Sequence, residues 1–564
     1  MIIGLDVGGT HTDVVLLGKN GLIRDFKVRT APEDLFQTVL TGLEKITEGI
    51  NPAEIKRAVL STTLTTNAIV QKKDQPVGMI VAGGPGIDPE LFRTNADYYC
   101  VGGSVDHRGR EITPVSREEI IPIVRKLKEK GIRTVGIVGK FSVRNPAHEL
   151  KIREILTETS GDSYDRIFMG HRISGNLSFP RRIATTYLNA LVFPLHKDFF
   201  KAVIQSLAQK GLKIPIHILK ADGGTMNFAS SVDFPGQTIL SGPSASVMGA
   251  TAFAPAKGEC LVLDIGGTTT DMAILLDQVP LLAPQGIDIG NFRTLIRSLE
   301  TRSIGIGGDS HVRVENGKIR IGPERTGPAM AYGGSVPTPT DAFFVLDLIQ
   351  DGDRTAALEG IQSIASELGK TAEETASEIF DRACEIIFSQ ARSMMEAINR
   401  KPVYTIHELQ EGLQVSPKTV LVLGGPAPYF ARRMNEISDY DVRVIPRWKV
   451  ANAIGAALAR TTCEVSLFAD TQQEIAAAPE EDFKESVNRS FSQEDAVQKA
   501  FALLRQKAVR IGADADDLET EVTESQQFNM VRGFYTTGRN IRVKVQIKPG
   551  LIKGYEKIAQ GIAI

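Results

Sequence analysis

The sequence predicts an α/β protein built around two copies of one β-hairpin, followed by a small α+β appendage. Three observations carry that prediction: an octapeptide that recurs 258 residues later, an alternation of apolar strand-like runs with helical periodicity, and a change of texture after about residue 464. At roughly 150 residues per domain, a chain of 564 residues is expected to form three or four units. Its 42% hydrophobic and 23% charged content suits a soluble protein with a large core, and excludes disorder, collagen and a disulfide scaffold. Sixty-five basic against 67 acidic residues leave a net charge of −2, without the basic excess of a nucleic-acid or membrane-surface binder. Cys100, Cys260, Cys384 and Cys463 lie far apart and form no CxxC, which suits reduced thiols rather than metal ligands. Asp6 interrupts the first apolar run and no run reaches membrane-spanning length, so a cytoplasmic protein is expected.

The repeat comes first. Asp6-Val-Gly8-Gly9-Thr10-His-Thr12-Asp13 returns as Asp264-Ile-Gly266-Gly267-Thr268-Thr269-Thr270-Asp271, identical at six of eight positions. Each copy sits between two apolar runs, residues 2–5 and 14–17 in one case and 261–263 and 272–276 in the other, so each reads as a hairpin with a Gly-Gly-Thr turn. Paired glycines let backbone N–H groups approach an anion, and threonine hydroxyls add uncharged donors. A carboxylate beside a phosphate needs a cation between them, which points to Mg²⁺ held through Asp6 and Asp264. Two such turns at one cleft would clamp a polyphosphate and position it for transfer. Gly8, Gly9, Thr10, Thr12 and Asp13 with Gly266, Gly267, Thr268, Thr269 and Thr270 form the expected phosphate-side set, and Asp6, Asp264 or Asp271 would orient the attacking group.

Rival nucleotide devices are absent from the sequence. Gly369-Lys370-Thr371 resembles the end of a P-loop, but Ile364 stands where the upstream glycine is required. No GxGxxG follows a strand and opens a helix, and neither His148-Glu149 nor His407-Glu408 has the second histidine of HExxH.

Further along, strand-like runs at 77–82 and 134–138 flank the charged amphipathic helix around 125–130, and a long helix is expected around 184–190. Residues 351–400 carry Ala, Glu, Ile and Leu at helical spacing. A strand at 419–423 runs into Gly424-Gly425, and the small-residue stretch 450–459 reads as a tightly packed helix. In the tail, Ser492 with Asp495 marks a helix start, with Val497, Phe501, Leu504 and Ala508 on one face. Residues 542–548 alternate as a half-buried strand whose polar face is expected to meet solvent.

The paired hairpins resemble the phosphate loops of the actin, sugar kinase and heat-shock ATPase superfamily. That resemblance implies two RNase H-like domains around a nucleotide cleft, with Gly424 and Gly425 facing adenosine and 450–459 as a closing helix. Within it, several segments are similar to the hydantoinase A/5-oxoprolinase family, which includes acetone-type carboxylase β-subunits. These are the opening signature, Ser61-Thr-Thr-Leu-Thr65-Thr-Asn67-Ala, Asn145-Pro-Ala-His148-Glu149, Arg181-Arg182 through Asn189-Ala190, Ala221-Asp222-Gly-Gly, Ser241-Gly-Pro, Ile304-Gly-Ile-Gly-Gly-Asp309-Ser, Ile321-Gly-Pro-Glu and Pro337-Thr-Pro-Thr-Asp341.

The resemblance implies ATP and Mg²⁺, activation of a cyclic amide carbonyl by phosphorylation, and a partner B-type hydantoinase subunit. A ketone in place of the amide would make the chain a carboxylase subunit, and an actin-like switch or reactivating factor is a further alternative. Thr65, Asn67, Asn145, His148 and Asp309 are the expected substrate-side residues. His148 is as readily a packed histidine, because spacing names no partner for it. Asp309 and His311 depart from the family pattern, which commonly has Gly and an apolar residue there, and form either a metal or pocket pair or a solvated loop. The expected divisions are an N-terminal domain at 1–175, an ATPase domain at 176–464 and the appendage at 465–564.

Overall fold

The computed structural model describes residues 1–564 apart from 9–10, 32–34, 63–74, 210, 284, 401–413 and 564. Two sheets dominate, and they are wired alike. In the first, strands Ile2–Val7, His11–Gly18 and Gly21–Arg29 form an antiparallel meander, Arg57–Thr62 and Ile216–Leu219 add in parallel beside Ile2–Val7, and Thr225–Asn227 closes the edge. In the second, Glu259–Ile265 and Thr270–Leu276 form the hairpin, Val279–Pro280 and Thr301–Ile304 pair outside it, and Thr419–Leu423 and Asp441–Val444 add in parallel on the other side. The octapeptide repeat is thus a repeat of topology.

Two helices lie between the sheets. Ser241–Thr251 and Ala451–Leu458 share apolar clusters with Val15, Leu17, Val59 and Leu219 of the first sheet and with Val262, Ala273, Leu421 and Leu423 of the second. The contact depends on missing side chains. A Cβ at Gly4 would lie 2.0 Å from the Ala453 carbonyl oxygen, one at Gly455 2.2 Å from that of Ala245, and one at Gly249 2.3 Å from that of Ala451. Backbone therefore meets backbone, as the small-residue stretch predicts.

The strands Val77–Ala82, Tyr98–Val101, Thr134–Gly139 and Arg166–Met169 form a separate parallel sheet. Ile80, Ala82 and Ile137 face the helices Arg117–Glu129 and Ala147–Ser160, while Met79, Val81 and Val138 face the long helix Phe179–Gln209. Burial on both faces explains the continuous apolar runs. The tail forms a five-stranded antiparallel sheet whose apolar face, with Leu467, Ile541 and Val543, covers the helix Gln493–Arg510. Ser492 and Asp495 close a capping box at its start, as the sequence predicts. Gly369-Lys370-Thr371 is also punctuation: Gly369 at φ 66° ends the helix Arg354–Leu368 and Thr371 caps Ala372–Asn399.

These sheets cross the expected divisions. Strand Ile216–Leu219 belongs with Arg57–Thr62, so the first sheet draws on both sides of residue 175. The helix Tyr555–Ala563 packs on the strand Gly21–Arg29, with Ile558 and Ile562 in the cluster that holds Val15 and Leu17, and so lies outside the appendage. The reason is the same in both cases: pairing partners and apolar faces, not sequence neighbours, decide where a segment lodges. Among the described residues, no helix is long and apolar enough to cross a membrane.

Candidate functional site

Strand register fixes the acidic pairs. Asp6 lies opposite Asp13 in the first hairpin, and Asp264 opposite Asp271 in the second. Each turn closes with the equivalent bond, the Gly8 N–H donating to the His11 carbonyl at 3.1 Å and the Gly266 N–H to the Thr269 carbonyl at 2.9 Å. Asn452, on the helix between the sheets, joins the two: its Nδ2 donates to Asp6 Oδ2 at 3.3 Å and reaches Asp264 Oδ2 at 3.5 Å. Sequence reasoning passed over Asn452. Its signal is present, because it is the one polar side chain in Ala-Asn-Ala-Ile-Gly-Ala-Ala-Leu, and an amide on so apolar a helix needs partners.

The electrostatics are lopsided. Asp6 is buried, its Oδ1 accepts no well-formed hydrogen bond, and burial pushes its pKa to about 7, with Asp13 and Asp264 adding to the rise and Ser61 and Asn452 opposing it. Burial also raises Asp264, against bonds from Asn452 and from the Ser246 hydroxyl at 2.5 Å. Asp271 is pushed to about 6 by burial and by Asp264. Among the described residues, Asp13 alone of the four has a cation, Lys27 at 3.1 Å, and burial still lifts it. Four carboxylates against one lysine there form a site that a cation would relieve. Among the described residues no three His, Cys, Asp or Glu side chains gather closely enough to hold a metal unaided. Mg²⁺ needs no such cage, since it takes one or two carboxylates with waters and substrate phosphates.

The glycine segments differ in what they face. Gly424 adopts φ 96°, and a Cβ there would lie 2.7 Å from Asp264 Oδ1, whereas nothing lies within 4 Å of one at Gly425. Thr268 is exposed and Thr269 partly so. Thr12 and Thr270 are not available to a ligand: Thr12 bonds the Thr30 hydroxyl at 3.0 Å and Thr270 donates to the Ile306 carbonyl at 2.7 Å, both fully buried. The alternation of a strand explains it, for Thr12 shares a face with Val14 and Leu16, and Thr270 with Met272 and Ile274.

Asp309 is brought to the second turn. Its Oδ2 would meet a Cβ on Gly267 at 2.6 Å, its N–H donates to the Gly267 carbonyl at 2.7 Å, and Arg325 holds its carboxylate at 2.8 Å. His311 instead joins the strand Val312–Glu315 to its neighbour through backbone bonds to Glu324 and Gly322. Gly9, Thr10, Thr65 and Asn67 lie outside the described residues.

Asn145 and His148 have structural partners away from the hairpins. Asn145 caps Ala147 and donates to the Gly109 carbonyl at 2.9 Å, while His148 Nε2 meets Glu111 Oε1 at 3.0 Å. The neighbouring Glu149, fully buried, pairs with His171 at 2.6 Å and accepts from the Gly139 N–H at 2.8 Å. Burial alone would raise its pKa, but His171, Arg182 and the Gly139 N–H together hold it below the usual carboxylate value. The segment thus ties helix Ala147–Ser160 to its own sheet.

The hydantoinase/oxoprolinase family pattern matches residues 182–465, and that of the hydantoinase/oxoprolinase N-terminal region matches 2–160. The caprolactamase alpha subunit of Pseudomonas jessenii is 25% identical over 498 residues, covering 80% of this chain and 69% of the relative. Two solved structures share the mixed α/β fold. The ATP-dependent caprolactamase from P. jessenii superposes with a TM-score of 0.71 at 19% identity, covering 98% of this chain and 88% of the other. Nucleotide-free acetone carboxylase gives 0.70 at 18%, covering 99% and 88%. The chain is a member of the hydantoinase/oxoprolinase family.

Proposed function

We propose that this chain is the ATP-dependent subunit of a cyclic amide hydrolase, acting on a hydantoin, 5-oxoproline or a related lactam. The two like-wired sheets are read as actin-like halves around a nucleotide cleft, with the 464–547 sheet as an appendage. The observation that carries the reading is the meeting of Asp6 and Asp264 on Asn452, which supports taking the two repeated turns as one site. The family and the caprolactamase relative supply the class of substrate.

The N–H groups of the Gly-Gly turns and the exposed Thr268 hydroxyl would bind phosphates, and Gly425 offers open space on the adenosine side. Asp6 and Asp264 would hold Mg²⁺, and the unpartnered Asp6 Oδ1 fits that role. Held there, the ion would supply neutralisation of charge on the phosphates. The amide oxygen attacks the γ-phosphorus and ADP departs. Water then adds to the activated carbon and the C–N bond opens to an amine and an acyl phosphate, which a second water hydrolyses to carboxylate and phosphate, so lactam, ATP and two waters give amino acid, ADP and phosphate. Asp271, with its raised pKa, is placed to accept a proton. A B-type hydantoinase subunit would complete the enzyme, since the relative is itself a subunit.

Mg²⁺-dependent ADP release with hydantoins, lactams, and ketones plus bicarbonate tests the reading, on the chain alone and with a co-purified partner. Turnover that requires a cyclic amide supports it. Stimulation only by a ketone with bicarbonate moves the chain to the carboxylases, a second reading favoured by the likeness to acetone carboxylase. Absence of nucleotide binding would sink both.

A further inference from the structure

The polar face of the C-terminal sheet closes a cavity of about 210 Å³ that lies apart from the hairpins. Strands Glu464–Asp470 and Tyr535–Ile547 form one wall, and the segments around Arg144 and Gly175 form the other. The face expected to meet solvent is therefore covered. Phe468 and Arg542 are cross-strand partners, as are Ser466 and Lys544, so these four side chains share one side of the sheet. Arg144 reaches across and sets its guanidinium 3.4 Å from the centroid of the Phe468 ring.

Two donors are left over. Arg144 Nη1 and Arg542 Nε are buried and bond no protein group among the described residues. Unpaired buried guanidinium N–H groups oppose folding unless something else accepts them. Burial and the neighbouring Arg542 lower the Arg144 pKa to about 10, against the pull of Asp470. Asp470 does not discharge the pair, because it is held by Arg108 at 2.9 Å and accepts from the N–H groups of Gln472 and Gln473. Lys544 is neutralised by Glu464 at 2.9 Å. What remains on the walls is Arg144 and Arg542 against Glu524, one positive charge in excess.

We propose that this cavity binds a small organic carboxylate, whose oxygens accept the unpaired N–H groups of Arg144 and Arg542. Guanidinium forks match carboxylate geometry, and a single negative charge balances the walls where a phosphate dianion would overshoot. The site goes beyond the nucleotide chemistry proposed for the cleft, and its occupant would join the C-terminal sheet to the 77–169 unit.

The test is calorimetric titration of the full chain with acetate, butyrate and inorganic phosphate at constant ionic strength. Saturable binding of a carboxylate is expected, weakened at least tenfold in Arg542→Gln and in Arg144→Lys, with ADP binding unchanged in both. Arg144→Lys keeps a cation over Phe468, so it serves if Arg542→Gln fails to fold. Binding of phosphate but of neither carboxylate would overturn the ligand class. No saturable binding, or equal binding by the folded variants, would overturn the site.

Discussion

The two hairpins share sequence, register and turn bond, yet their carboxylates live differently. Asp264 is anchored by both Ser246 and Asn452, and the loop carrying Asp309 walls in its turn. Asp6 has the Asn452 contact and an oxygen without a hydrogen bond among the described residues, and burial pushes its pKa to about 7. A repeated motif therefore does not mean a repeated role. The second hairpin holds its carboxylate in place with two side-chain bonds, and the first leaves an oxygen open to a cation.

The largest effect expected from this contrast is on turnover. Asp264→Ala should lower Mg²⁺-dependent ADP release by roughly 10³-fold, and a residual rate equal to wild type would erase the distinction. Next comes pH. With a folded pKa of about 7 against an ordinary 3.8, Asp6 keeps a proton that the unfolded chain has already lost. Its contribution to stability is fully present below about pH 4 and is lost as pH rises through 7, by at most about 4 kcal/mol. Thermal unfolding of the metal-free protein at pH 5 and 8 should therefore differ less in Asp6→Asn than in wild type. Asp271→Asn, removing a shift only to about 6, should flatten the profile less.

Closing the backbone contact comes third. Gly455→Val drives carbon into the Ala245 carbonyl and should cost about 3 kcal/mol by denaturant unfolding. Smallest is Asn452→Ala, which removes bonds to both hairpins and should cost about 1 kcal/mol while cutting ADP release roughly tenfold. A stability loss without a rate change would make Asn452 a tie rather than part of the site.

The hairpins, the strand before Gly424, the small-residue helix Ala451–Leu458 and the capped helix at Ser492 were legible because each is a local pattern: a repeat, an alternation, a cap. For Asn452 the isolated polar side chain is legible but its partners are not, because they lie 446 and 188 residues away. The roles expected of Asn145 and His148 came from motif likeness, and their partners Gly109 and Glu111 lie on a different strand-turn segment. Thr12 and Thr270 could have been set aside from sequence by asking which way a strand residue points. Strand Ile216–Leu219 crossed the expected boundary because parallel pairing leaves no trace in its own four residues.

The helix Ala451–Leu458 also sets an order of assembly. The apolar face formed by Val15, Leu17 and Val59 is covered by Ala453, Ile454 and Ala457, almost four hundred residues later in the chain. At roughly 5–20 residues per second, synthesis would leave that face waiting on the order of 20–80 s. A nascent chain therefore carries a finished hairpin with a bare underside, and the interval before residue 458 emerges is when misassembly with a neighbouring copy is most accessible. Slowing translation ahead of that helix should lower the soluble yield more than the same delay placed after it.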